Sequence, residues 1–290
     1  MHPLIQDLLS RGPVITDGAW GTELQARGLG LGEFPDSWNL THADRVTEVA
    51  RAYAAAGSQV ILTNTFGANR LRLGEHAAAD RVVDINVRGV EISRSAGGGQ
   101  AQVFASIGPS GKLLMSGEVN EDDLRAAFGE QAQALAKGGA DALVVETMSD
   151  LEEARVAVGA ARATGLPVIA CMVYDSGKEK DRTMMGATPE QAAAVLAEAG
   201  ADVIGANCGQ GIAGFVGICR RLRAATERPI WIKPNAGLPA IVDGKAHYQV
   251  TPEEFVAYLP ELIRAGASFI GGCCGTTPEF IAAIRRELGR

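Results

Sequence analysis

The sequence contains little that would suit a membrane, a nucleic acid or an export signal. It has no run of about 18 uninterrupted apolar residues, the length needed to cross a bilayer. Residues 1–13 include Asp7 and Arg11 and lack the long apolar core of a signal peptide. Lysine and arginine number 27 against 34 aspartates and glutamates, giving a net charge of −7. This balance argues against binding to nucleic acid or to an anionic membrane.

Cysteine, histidine and aromatic residues are also scarce. There are five cysteines and four histidines, and aromatic residues make up 5% of the chain. An odd number of cysteines in a chain of 290 residues argues against a disulfide framework and indicates a reduced, cytoplasmic protein. Hydrophobic residues reach 47%, which excludes disorder over most of the length.

The chain alternates short apolar runs with longer amphipathic stretches. Near-continuous apolar runs are typical of parallel strands that are buried on both faces. Eight strands are predicted, over 14–16, 59–63, 103–107, 142–145, 167–173, 203–206, 230–233 and 268–271. Eight helices are predicted, over 43–56, 80–95, 121–137, 151–164, 189–199, 214–226, 252–265 and 278–288. This pattern predicts an α/β fold, a single-domain (β/α)8 TIM barrel over residues 1–290. A doubly wound sheet is the alternative, although no G-x-G-x-x-G follows the first strand.

Three cysteines fall at predicted strand ends, where a barrel of this kind has its active face. Cys208 ends the sixth strand, and the adjacent Cys273 and Cys274 follow the eighth. Three thiols suit Zn²⁺ in tetrahedral geometry with one open position. The adjacent pair could instead be small packing residues at a tight turn, but a third cysteine at a matching strand end favours the metal. Cys171 and Cys219 are predicted to be ordinary buried residues.

Two carboxylates, Asp17 and Glu146, fall at the same face and have no evident cationic partner in the sequence. A zinc ion with three thiolates activates water poorly but holds a fourth thiol as a thiolate. The carboxylates would bind an ammonium group, and glycine-rich turns could receive a carboxylate. The sequence therefore predicts activation of an amino-acid thiol, with no catalytic residue beyond the metal site. For Asp17, an Asp-Gly loop cap is the alternative.

Seven motifs resemble the homocysteine S-methyltransferase family, over about residues 13–288. They are DGAWGTELQ (17–25), ILTNTFGANR (61–70), SIGPSG (106–111), VVETMSD (144–150), GANCGQG (205–211), KPNAGLP (233–239) and GGCCGTTPEFI (271–281). The resemblance implies zinc-dependent transfer of a methyl group to the thiol of homocysteine, giving methionine.

The resemblance also implies roles for single residues, carried over motif by motif. The implied zinc ligands are Cys208, Cys273 and Cys274, with Asn235 as a fourth ligand in the free enzyme. The implied contacts to homocysteine are Asp17, Gly18, Thr22 and Glu146. Trp38 matches an aromatic residue of the family's betaine site, while Gly67 and Thr147 stand where that site has aromatic side chains.

The methyl donor is left open by these residues. Trp20, Trp38 and Phe66 are predicted on or near the active face, and aromatic faces attract onium cations. A small onium compound, betaine or S-methylmethionine, is therefore the predicted donor. The alternatives are a corrinoid protein partner in a cobalamin-dependent methionine synthase system and a non-catalytic zinc–thiolate barrel. A zinc hydrolase or aldolase is disfavoured because no histidine falls at a strand end. Oligomeric state also remains open.

Overall fold

A computed structural model describes residues 1–30, 32–242 and 245–290. Eight parallel strands form the main sheet. They are β1 Val14–Ile15, β2 Val60–Ile61, β3 Gln102–Ile107, β4 Ala142–Met148, β5 Val168–Met172, β6 Val203–Cys208, β7 Ile230–Pro234 and β10 Ala267–Ile270. They pair in the order β1-β10-β7-β6-β5-β4-β3-β2. A two-stranded antiparallel hairpin, β8 Ala240–Val242 and β9 Lys245–His247, follows β7. The (β/α)8 barrel predicted from the alternating pattern is confirmed.

The barrel is nearly closed where β1 meets β2. The backbone N–H of Gln59 donates to the carbonyl oxygen of Ile15 at 2.8 Å. The side-chain oxygen of Gln59 accepts a bond from the Ile15 N–H at 3.0 Å. One glutamine thus bonds both the N–H and the C=O of Ile15 across the seam. Neighbouring strands elsewhere pair in parallel, with Asn207 opposite Lys233 and Cys208 opposite Pro234. The register shifts once between β10 and β7 and once between β4 and β5.

Helices cover the outside of the barrel and part of its ends. The α-helices are α1 Pro3–Leu9, α2 Trp20–Ala26, α3 Trp38–Thr41, α4 Ala43–Ala56, α5 Arg70–Gly74, α6 Val82–Gly97, α7 Glu121–Lys137, α8 Leu151–Arg162, α9 Pro189–Glu198, α10 Ile212–Ala225, α11 Pro252–Val256, α12 Leu259–Arg264 and α13 Pro278–Glu287. Short 3₁₀ helices span Pro35–Ser37, Ala79–Arg81 and Leu114–Ser116. No α-helix in the described part of the chain is long and apolar enough to cross a membrane.

The helix expected over 252–265 is divided in two. Pro260 occupies the first turn of α12, where its missing N–H costs no hydrogen bond. Inside one continuous helix the same proline would remove a bond and collide with the preceding turn. The chain therefore ends α11 at Val256 and starts a second helix at Leu259.

Helix α1 packs against the barrel strands through one of two large apolar clusters. Ile5 is fully buried in a cluster that includes Phe104, Trp231 and Phe269 from three barrel strands. The cluster also takes in Val14 at the start of β1, opposite the carboxyl ends of the strands. A larger cluster lies between the strands and the surrounding helices. Burial of apolar surface in these two layers holds the strand ends in place.

Replacing Ile5 by alanine should destabilise the barrel without altering its carboxyl end. Removing a fully buried isoleucine side chain leaves a cavity and costs about 2–5 kcal/mol in the free energy of unfolding. Val83→Ala, on the exposed side of α6, is the matched control and should change stability by less than about 0.5 kcal/mol. Urea denaturation measures both variants. Equal small losses in the two would show that α1 does not stabilise the barrel.

Candidate active site

A cavity of about 520 Å³ opens at the carboxyl end of the barrel strands. Residues that follow or end β1, β2, β4, β6, β7 and β10 contribute to its wall. One part of the wall carries the sulfur atoms of Cys208, Cys273 and Cys274. Another part carries Phe34, Phe66 and several charged side chains from the loops. Cavities at this end of a (β/α)8 barrel are where such folds place their chemistry.

The three predicted cysteines come together. Their sulfur atoms lie within 4.8 Å of one another. Three sulfurs bound tetrahedrally to one Zn²⁺ at about 2.3 Å would lie roughly 3.8 Å apart, so the cluster has the required size. Two backbone bonds join the β7 and β10 ends: Cys273 N–H to Pro234 O at 2.8 Å and Ala236 N–H to Cys274 O at 2.9 Å. Cys208 has φ +65°, a strained value for a residue other than glycine.

Close contact between the three thiols shifts their pKa values in opposite directions. Hydrogen bonds from Cys273 and Cys274 to the Cys208 thiolate lower the pKa of Cys208 to about 3. The same contact with Cys208 raises the pKa of Cys273 to about 11, and the pKa of Cys274 also lies well above its usual range. Three thiolates this close together require a cation to offset their repulsion. The donor set therefore fits a soft metal ion with thiolate ligands.

Asn235 lies beside this cluster. Its backbone N–H donates to Cys208 O at 3.3 Å, and its Nδ2 donates to Gly209 O at 2.7 Å. Its Oδ1 is buried and has no hydrogen-bond partner among the described residues. A buried oxygen left without a donor is uncommon and suits an atom that binds a ligand.

Asp17 is fully buried, and both of its side-chain oxygens accept hydrogen bonds. Its Oδ1 accepts from Lys233 Nζ at 2.5 Å, and its Oδ2 accepts from Trp20 Nε1 and from the Leu62 N–H, each at 2.7 Å. For Asp17, the expectation that no cationic partner exists is therefore wrong. Lys233 was missed, although a lysine that ends an otherwise apolar strand is itself a signal for a buried ion pair. Asp17 lies behind the cavity wall, while Lys233 is part of it.

Glu146 lies on the wall and is held by two polar neighbours. Its Oε1 accepts from Ser106 Oγ at 2.5 Å, and Asn207 Nδ2 lies 3.5 Å from its Oε2. Burial raises the pKa of Glu146 to about 7, against an opposing influence of the Lys233 charge. The next residue, Thr147, has φ +62° and is fixed at both its N–H and its hydroxyl by Asn207. Asn207 Nδ2 also lies 3.8 Å from Cys273 Sγ.

The turn after β1 packs directly on the cysteine loop. A Cβ on Gly18 would come within 2.8 Å of Thr276 O and 2.9 Å of the Tyr53 ring, so only glycine fits. Thr22 Oγ1 accepts a bond from the Gly275 N–H at 3.1 Å. Gly18 and Thr22 both line the cavity, and they also hold the turn against the loop that carries Cys273 and Cys274.

Two of the three aromatic residues expected at the active face line the cavity. Trp20 and Phe66 line the cavity, but Trp38 does not. Trp38 is 5% exposed because it packs into the helix–strand core and its indole N–H donates to Glu33 at 3.2 Å. Phe34 takes a place on the wall instead, and a Cβ on Gly67 would lie only 2.8 Å from its ring. Glycine at position 67 thus leaves room for the Phe34 ring.

His76 also reaches the cavity, although it does not fall at a strand end. It stacks on Phe34 with ring centroids 4.3 Å apart. Residue 76 lies in the loop that follows α5. The sequence pattern of strands and helices carries no signal for such a contact.

The fold and the site together define a barrel enzyme with a thiol-rich centre at the carboxyl end of its strands. The chain belongs to the homocysteine S-methyltransferase family, whose model matches residues 14–288. The resemblance seen in the sequence motifs is thereby confirmed.

Relatives of known name support this membership. The chain is 34% identical to the methionine synthase of Mycobacterium tuberculosis over 96% of its own length, and 33% identical to that of Mycobacterium leprae over 98%. It spans about 25% of the length of either relative. Its fold is similar to the homocysteine methyltransferase MmuM of Escherichia coli in a metallated form, with a TM-score of 0.82, 24% identity, and coverage of 97% of this chain and 99% of MmuM.

Asp36 is a second buried carboxyl group on the cavity wall. It is 3% exposed, and its Oδ1 accepts from the Gly67 N–H at 2.9 Å. Burial raises its pKa to about 7, although the bond from Gly67 and the charge of Arg72 oppose the shift. The folded protein therefore keeps a proton on Asp36 that the unfolded chain loses near pH 4.

We expect Asp36→Asn to stabilise the protein progressively more as the pH rises from about 4 to 7. The wild-type contribution from Asp36 is complete below the unfolded pKa and is lost as the pH approaches 7, at about 1.4 kcal/mol per pH unit. Chemical denaturation at pH 5 and pH 8 measures the difference between variant and wild type. Asp44→Asn, at an exposed carboxyl, is the control and should give the same difference at both values. A pH-independent difference for Asp36→Asn would contradict the assignment.

Proposed function

We propose that this chain transfers a methyl group to the thiol of homocysteine and produces methionine. The observation that carries the proposal is the position of Asn207 Nδ2, 3.5 Å from Glu146 Oε2 and 3.8 Å from Cys273 Sγ. The Glu146 carboxylate, which can bind an ammonium group, is thus separated from the thiol cluster only by the side-chain amide of Asn207. Homocysteine has three carbons between its nitrogen and its sulfur, which matches this span.

We propose that Cys208, Cys273 and Cys274 hold Zn²⁺. When bound there, the ion would keep an incoming thiol deprotonated at neutral pH. The unpartnered Oδ1 of Asn235 supports this residue as a fourth ligand in the absence of substrate. The metallated form of the E. coli relative also supports a metal. All five cysteines are free, and we propose that the protein resides in the reducing cytoplasm.

The direct contact to the substrate amino group is assigned to Glu146. Its side chain lies on the cavity wall, with one oxygen fixed by Ser106 and the other facing the Asn207 amide. A bound ammonium would favour the ionised carboxylate and offset the effect of burial on its pKa. Asp17, which lies behind the wall, acts on the substrate through Lys233 and Trp20.

We propose a small onium compound as the methyl donor. Trp20, Phe34 and Phe66 line the cavity, and each aromatic face would attract an onium cation by roughly 0.5–2 kcal/mol. Arg72 on the same wall can receive a carboxylate. Betaine and S-methylmethionine both carry one, and S-methylmethionine also has an ammonium group that suits Glu33. Because the wall carries both a positive charge, on Arg72, and a negative charge, on Glu33, it favours S-methylmethionine.

A corrinoid protein is the second candidate as source of the methyl group. This chain spans only a quarter of the length of the methionine synthases it resembles. Most of each of those proteins therefore lies outside the region that matches this chain. The loops after β3, β5 and β7 expose Met115, Met184 and Leu238 around the barrel mouth. Exposed apolar side chains at a cavity entrance suit the approach of another protein surface. In that case the chain would be the homocysteine-binding unit of a cobalamin-dependent system.

Purified under reducing conditions without chelator, the protein should carry about one zinc ion per chain by elemental analysis. Cys208→Ser should lose most of the metal because it removes one of three thiolate ligands. Cys219→Ser, at a buried cysteine of α10 that is not part of the thiol cluster, is the matched control and should keep it. Retention of a full metal complement by Cys208→Ser would refute the ligand set.

A panel of methyl donors tests the reaction. With homocysteine and S-methylmethionine or betaine, we expect methionine to form at a rate well above that of the Cys208→Ser variant. Methionine formation is measured by mass spectrometry. Turnover with methylcobalamin alone would favour the corrinoid system and leave the thiol chemistry intact. No methionine with any donor, from protein that binds zinc, would support the non-catalytic barrel.

A further inference from the structure

Lys233 is a buried cation on the wall of the cavity that the proposed reaction has not used. It belongs to β7, is 2% exposed, and lies opposite Asn207 in the strand register. Its Nζ donates to Asp17 Oδ1 at 2.5 Å. Strand β7 lies between β6, which carries Cys208, and β10, which precedes Cys273 and Cys274. The ammonium group is therefore on the same cavity wall as the cysteines and Glu146, where the thiol substrate would bind.

The ammonium group has more donors than the protein engages. It carries three N–H bonds, and among the described residues only Asp17 accepts one. Glu146 lies beyond ion-pair distance, because Asp17 is the one carboxylate within 4.0 Å of Nζ in the described part of the chain. Burying two unpaired donors of a charged group is costly unless a ligand or water accepts them.

The need to neutralise Asp17 does not by itself explain why Lys233 lies on the cavity wall. Asp17 already accepts from Trp20 and from the Leu62 backbone, so two of its bonds are satisfied without a cation. A group that served only Asp17 would not need to line the cavity, whereas Lys233 does.

We propose that Lys233 binds the carboxylate of the thiol substrate and so selects thiols that are α-amino acids. The inference rests on the proposed function. With the substrate in place, charges alternate along the site: Asp17, Lys233, the substrate carboxylate, the substrate ammonium and Glu146. Each charge then has an opposite neighbour, as buried charges require.

Three thiols that differ in one charged group test the assignment. Homocysteine carries both groups, 4-mercaptobutanoate lacks the amino group, and 3-aminopropane-1-thiol lacks the carboxylate. Isothermal titration of zinc-loaded protein gives the dissociation constant of each thiol. The proteins compared are the wild type, Lys233→Met, Glu146→Gln and, as a control at an exposed lysine, Lys178→Met.

Lys233→Met should weaken homocysteine and 4-mercaptobutanoate by roughly ten- to a hundredfold and leave 3-aminopropane-1-thiol within about threefold. Glu146→Gln should show the reciprocal pattern, weakening the two thiols that carry an amino group. Lys178→Met should bind all three like the wild type.

In Lys233→Met, weaker binding could also result from leaving the Asp17 carboxylate without its cationic partner, and a double variant tests this alternative. Lys233→Met/Asp17→Asn removes both charges, so a lysine that only neutralised Asp17 would be dispensable there. We expect this double variant to remain weak toward the two carboxylate-bearing thiols. Its return to wild-type affinity, or an equal loss for all three thiols in Lys233→Met, would overturn the role of Lys233. Failure of the wild type to bind homocysteine would overturn the proposed function itself.

Discussion

The hydrogen bonds of the Asp17 carboxylate join the barrel seam to the wall of the cavity. Its two side-chain oxygens reach the backbone after β2, the lysine of β7 and the indole of α2. Its carbonyl oxygen accepts a bond from the Gly272 N–H, just before the paired cysteines. Four segments distant in sequence therefore meet at one buried residue. Removing it would leave Lys233 as an uncompensated buried charge, which is more costly than the loss of a single hydrogen bond.

The second constraint is the charge of the thiol cluster. Three sulfurs within 4.8 Å cannot all be thiolates without a cation, and the shifted pKa values of Cys208 and Cys273 express this limit. The β7 and β10 loops are bonded to each other beside the cluster, and these bonds help to hold the sulfurs close together. A site held together in this way loses little conformational entropy on binding an ion. The strained backbone at Cys208 is consistent with a position fixed by its surroundings.

The sequence predicted the parts of this structure that depend on periodicity. All eight barrel strands lie within or overlap the apolar runs. Because the carboxyl ends of the strands meet at one face, the sequence also placed four site residues there correctly: Cys208, Cys273, Cys274 and Glu146. The loops were less predictable. Trp38 lies in the core and Phe34 in the wall because the segment before α3 folds across the loop after β2. The spacing of apolar residues in the sequence does not predict this packing between loops. Lys233 was overlooked because its partner is 216 residues away in sequence.

This contrast divides the cavity into two halves with different origins. The half that holds the thiols, Glu146 and Lys233 is built from strand ends, whose positions follow from the barrel itself. The half that carries Phe34, Asp36 and His76 is built from loop residues, whose positions depend on packing between loops. Strand ends are rigid and suit a substrate whose thiol and amino groups must be placed accurately. Loops tolerate change at little cost to the fold. Under the proposed function, the binding of the thiol acceptor is therefore tied to the architecture of the barrel, whereas the choice of methyl donor depends on a part of the wall that can vary independently of it.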